Sequence, residues 1–162
     1  MKRIGLALAA FIIAVPALAQ EPVGCDKFKW PLDRERALLA QAAPAKSAGD
    51  LQLVAGARLT LVPAAEAKLP VAPTRAPKDG SYAGFLRLPA PPSAGTYRVT
   101  LSANAWIEVV QEGEVVKAGV FSGVGGCEGL RKSVKFELAA RPFIVELSGM
   151  ATPEINVVVT PD

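Results

Sequence analysis

Few residues in this chain are equipped to do chemistry. There is no histidine, which removes Ser-His-Asp and Cys-His catalysis, imidazole-based zinc sites and the two-histidine, one-carboxylate iron site. The two cysteines, Cys25 and Cys127, cannot build a four-thiolate centre and form no Cys-x-x-Cys pair. The acidic residues are mostly isolated between strand-like stretches and show no EF-hand pattern. No catalytic residue, metal or cofactor is therefore assigned. The one catalytic route left open is a carboxylate pair of the glycosidase kind, and no two acids stand out as its members.

Four residues are candidates for binding. Trp106 and Trp30 offer flat aromatic faces, which bury much area at small entropic cost and accept the C–H edges of a sugar ring. Arg131 and Lys132 follow the glycine-rich stretch Ser122–Leu130 and could pair with an acidic ligand. Each has a plainer reading: Trp106 as a cap on the core, Trp30 as a lid beside Cys25, Arg131 and Lys132 as solvated charges. The glycine-rich stretch lacks the Gly-Lys-Ser/Thr ending of a phosphate loop and leads into a strand, so it reads as a loop shaped around Cys127.

The elements that must position these residues begin after a targeting segment. Lys2 and Arg3 precede an apolar run from Ile4 to Val15. Pro16 then breaks it, and Ala17-Leu18-Ala19 fits the small-x-small cleavage pattern. The run is shorter than the roughly 20 residues that span a bilayer. Residues 1–19 thus read as a cleaved signal peptide, with no stable membrane insertion of the exported chain. Lys2 and Arg3 carry two of the three net positive charges. The charge left over residues 20–162 is scattered, so nucleic-acid binding has no support. In an exported chain, two cysteines predict a Cys25–Cys127 disulfide closing a loop of about a hundred residues.

Residues 20–50 form an N-terminal segment. Pro31, then Asp33 and Glu35 in a first turn, with Leu32, Leu38, Leu39 and Ala42 on one side, predict a short helix. Asp33-Arg34-Glu35-Arg36 reads as its charged face, and residues 42–50 as a loop. From residue 51 the period becomes two. Tyr97, Val99 and Leu101 oppose Thr96, Arg98 and Thr100. Val134, Phe136 and Leu138, then Phe143, Val145 and Leu147, then Ile155, Val157 and Val159 repeat the alternation. About eight short strands are expected, with turn signals at intervals that fit a sandwich or barrel. Prolines 63, 70, 73 and 77 punctuate a stretch unfit for a central strand. The fold class expected is all-β: an antiparallel β-sandwich of jelly-roll or Greek-key type over 51–162, with one short N-terminal helix and one disulfide.

Two resemblances bear on function. Ala94-Gly95-Thr96-Tyr97-Arg98-Val99-Thr100-Leu101 followed by Ala105-Trp106-Ile107-Glu108-Val109 resembles the bacterial pre-peptidase C-terminal type of domain, which implies a secreted jelly-roll sandwich. The stretch Cys25 to Arg36, with Cys127 and Arg131-Lys132-Ser133, resembles small exported proteobacterial proteins of unsettled role. Some of those carry a homogentisate dioxygenase label, whose iron site takes histidines that this sequence does not contain. The expectation is a non-catalytic periplasmic, or secreted, binding or accessory module for an envelope saccharide. A protein that binds or inhibits another exported protein predicts instead an exposed edge strand or apolar patch. A carboxylate hydrolase predicts two buried acids facing each other across a cleft.

Overall fold

The computed structural model describes residues 21–162; the expected signal segment lies outside them. One helix, α1 (Asp33–Ala40), precedes a series of short strands: β1 (Ala43–Lys46), β2 (Gly49–Asp50), β3 (Gly56–Thr60), β4 (Val62–Pro63), β5 (Tyr82–Leu88) and β6 (Gly95–Leu101). The series continues with β7 (Trp106–Gln111), β8 (Glu114–Val116), β9 (Ala118–Gly123), β10 (Lys132–Leu138), β11 (Phe143–Met150) and β12 (Glu154–Pro161). They form two six-stranded sheets packed as a sandwich. The first runs β1-β3-β12-β6-β10-β9. The second runs β2-β5-β11-β7-β8, with β4 paired to β5.

Alternation decides the layering, because successive strand side chains point to opposite faces. Leu59, Val99, Val134, Phe136, Val157 and Val159 of the first sheet meet Leu86, Ile107, Val109, Val145 and Leu147 of the second in one buried core. The chain changes sheet between β1 and β2, β2 and β3, β3 and β4, β5 and β6, β6 and β7, β8 and β9, β10 and β11, and β11 and β12. Residues distant in sequence are thereby brought to the ends of the sandwich. No helix of the described residues is long and apolar enough to cross a membrane.

Two local expectations change. Residues 42–50 are not a loop: β1 pairs parallel to β3 and β2 parallel to β5, so this segment binds the edges of both sheets. Its Ala, Pro and Gly content hides this, because backbone pairing here overrides weak strand propensity. The sandwich is accordingly antiparallel except at these two edge pairs. The stretch from Glu114 to Phe121, which follows the Glu112-Gly113 turn and is expected as one strand, divides at Lys117 into β8 and β9, which lie in different sheets.

Both outer faces are covered. On the first sheet, Leu32, Leu39, Val124, Cys127, Leu130 and Val158 form a second apolar cluster, with Phe28, Trp30 and Leu38 packed against it. The Cys25–Cys127 disulfide ties this cover to the glycine-rich loop. Glu35, expected on a charged helix face, is instead buried. It accepts a hydrogen bond from the Thr160 hydroxyl (2.6 Å) and lies 3.2 Å from the Arg34 guanidinium. Burial pushes its carboxyl upward, but these partners hold it below the usual range.

Candidate functional site

The outer face of the second sheet is built from pairs along β7 and β11. Trp106 lies opposite Ser148, Glu108 opposite Glu146, and Val110 opposite Ile144. A strand face with two carboxylates ordinarily faces water. Here residues 67–80 form a strap that crosses it, kept out of any ladder by Pro70, Pro73 and Pro77. The Val71 N–H donates to Glu146 Oε1 at 3.0 Å. The Thr74 N–H donates to Glu108 Oε1 at 2.8 Å, and the Thr74 hydroxyl donates to the same oxygen. Both acids are buried, and Glu146 Oε2 has no hydrogen-bond partner among the described residues. Burial raises the Glu146 carboxyl above its ordinary value; the Val71 N–H opposes the rise and the Glu108 charge adds to it.

Beyond Thr74 the strap passes Trp106. The Arg75 guanidinium lies 5.5 Å from the centre of the indole, within cation–π range. Lys132, at the start of β10, reaches over from the other sheet: its ammonium lies 5.9 Å from the same ring and donates to the Ala105 carbonyl at 3.0 Å. Together with Lys78, Asn104 and Ser148 these residues line a cavity of about 220 Å³. Trp106 remains 38% exposed at its wall. Burial lowers the Lys132 ammonium below its ordinary value, and the positive charges of Arg131 and Arg75 lower it further.

The structure brings Trp106 and Lys132 into one site and places the other two candidates elsewhere. Arg131 donates to the Val124 carbonyl at 2.8 Å and pairs with Glu21 at 2.7 Å, bracing the glycine-rich loop against the N-terminal segment. Trp30 is a half-buried lid on the second cluster, with Lys135 at 4.7 Å and Arg98 at 5.9 Å from its ring. Arg75, Lys78, Asn104 and Ser148 were not legible as site residues. The signal for the first two was available: a proline-broken basic stretch that cannot enter a ladder must lie over a face. Glu108 and Glu146 meet the expectation of two buried opposed acids only in part, since the strap covers them and neither lines the Trp106 cavity.

A second surface feature is β9, the edge of the first sheet. Val120 and Phe121 project from it at 57% and 58% exposure. Among the described residues, no group of three or more Cys, Asp and Glu could hold a metal ion. Searches against protein-family models, curated proteins and solved structures find no match to this chain. The disulfide fits an oxidising compartment outside the cytoplasm.

Proposed function

We propose that the chain is a non-catalytic binding or accessory module of the periplasm, and that the Trp106 cavity takes an envelope saccharide. The observation that carries this reading is an indole left partly exposed in a concave site with polar neighbours, Asn104, Ser148 and Lys132. An aromatic wall with a few convergent polar groups is the usual build of a small-ligand site. The signal-peptide pattern and the disulfide support the compartment. Thermal unfolding of the oxidised chain with a panel of envelope saccharides tests the proposal. A ligand at a hundred times its dissociation constant adds about 2.7 kcal/mol, which raises the midpoint by several degrees. The shift is expected with one sugar class and lost in Trp106→Ala. No shift across the panel refutes the reading.

A second reading is favoured by β9: binding of another exported protein by strand addition. Its sequence Ala118-Gly119-Val120-Phe121-Ser122-Gly123 has no charge and no proline, the devices that usually blunt an edge strand. A complex that co-elutes from periplasmic extract and is abolished in Phe121→Asp, but not in Trp106→Ala, would support this reading over the saccharide one.

A further inference from the structure

We infer that the Trp106 cavity recognises an acidic saccharide, taking the sugar's carboxylate or phosphate ester between Arg75, Lys78 and Lys132. The inference rests on the saccharide reading above and specifies its ligand class. Three cations line one cavity whose wall contains no Asp or Glu. None of the three is in an ion pair among the described residues. The two acids on the same sheet face, Glu108 and Glu146, are directed to the strap, where Thr74 donates to one oxygen of Glu108 and Val71 to one oxygen of Glu146. Like charges gathered without a counter-charge repel, and an anion placed among them removes that cost while gaining charge-assisted hydrogen bonds.

The donors are suited to the role. An ammonium carries three N–H groups, and Lys132 gives one to the Ala105 carbonyl, which fixes its position and leaves the others for a ligand. Arg75 offers a planar fork that matches a carboxylate or phosphate in two-pronged fashion. Both cations sit against the indole. A neutral sugar on Trp106 would leave them unanswered at its edge, whereas a sugar acid lays its ring on the exposed indole and its anion against them. Asn104 and Ser148 supply neutral partners for hydroxyl groups. The chemistry joins an aromatic wall, hydroxyl partners and a cationic corner, and so favours a charged ring over a bare anion.

The test is calorimetric titration of the oxidised, exported chain with four probes: trigalacturonate, its methyl ester, glucose 6-phosphate and inorganic phosphate. Expected is binding of trigalacturonate or glucose 6-phosphate, whichever source supplies the anion. That affinity should fall about ten-fold or more in Arg75→Gln and in Lys132→Gln, and should decline with added salt. The melting temperature of each variant separates lost binding from lost folding; Arg75 is exposed, so its replacement leaves the core intact. Equal binding of acid and ester, unchanged by Arg75→Gln, overturns the inference while the saccharide reading survives. Binding of inorganic phosphate as tight as that of the sugar phosphate overturns the role of the ring. Binding of none of the probes overturns the inference, and if the neutral saccharide panel also fails, the reading beneath it falls too.

Discussion

Replacing Glu146 by glutamine should stabilise the chain at neutral pH and change little in acid. Glu146 is 1% exposed, one of its oxygens has no partner, and Glu108 stands opposite it on β7. Its carboxyl is raised in the folded state, burial being the first cause. A raised carboxyl binds more protons folded than unfolded. Its stabilising contribution is therefore complete below the unfolded value, about 4.3, and is lost as pH climbs through the folded one. Glutamine keeps an oxygen for the Val71 N–H and mimics the protonated acid, so the variant escapes that loss. The stability difference should grow with pH by up to about 1.36 kcal/mol per pH unit across the window and then level off. Each kcal/mol corresponds to about 4 °C in the midpoint for a domain of this size. Glu35 and Asp162 act in the opposite sense. Their carboxyls are held low, so their contribution is present at neutral pH and lost as pH falls through their folded values. Both are common to the two proteins and cancel in the difference. Glu108→Gln should act the other way from Glu146→Gln. It weakens two charge-assisted bonds from Thr74, a loss of about 2 kcal/mol. Urea unfolding of all three proteins at pH 4 and pH 7.5 is the assay. A Glu146→Gln difference that is flat with pH, or the same sign for both variants at pH 7.5, refutes the account of the strap as latched by Glu108 and Glu146.

Two further outcomes follow from the packing. Removing the disulfide, whose cysteines are 102 residues apart, should cost up to about 4–5 kcal/mol through the freed unfolded chain; an unchanged urea midpoint in the Cys25→Ser, Cys127→Ser double variant would show that no such constraint operates. Gly56→Ala should destabilise by about 1–3 kcal/mol, because the added methyl collides with the Leu38 carbonyl oxygen where α1 packs on β3. Gly123→Ala meets its nearest atom at an ordinary 3.5 Å and should be close to neutral, so equal midpoints for the two variants would contradict this packing.

The strands with clean alternation were legible because one rule governs them. Lys132–Leu138 begins and ends where pattern and turn residues place it, and Phe136 and Val99 are buried as their period demands. β1 and β2 were not legible, because they are held by backbone pairing to β3 and β5 and not by any side-chain pattern. Glu35 reads as solvated among Arg34 and Arg36; only the position of Thr160, 125 residues away, shows it to be a buried acceptor. The same limit applies to the site. Trp106 and Lys132 were visible as residue types, but their approach depends on β7 and β10 lying in different sheets, a fact about topology that no local window contains.

The strap explains why the site could be half seen. A proline-rich stretch signals what it cannot be, a helix or a central strand, and leaves open where it goes. Its destination is decided by Glu108 and Glu146, two acids embedded in otherwise apolar strands that find backbone N–H donors in the strap. Buried polar groups must be paired, so those acids amount to instructions for docking a segment from elsewhere in the chain. Docking then delivers Arg75 to the indole and Lys78 to the cavity beside it. The cationic corner is in this sense a consequence of the carboxylate latch. Loosening the latch through Glu108 should therefore weaken the proposed binding of an acidic saccharide at a cavity that Glu108 does not line, whereas a charge reversal at Glu128, exposed in the glycine-rich loop, should not.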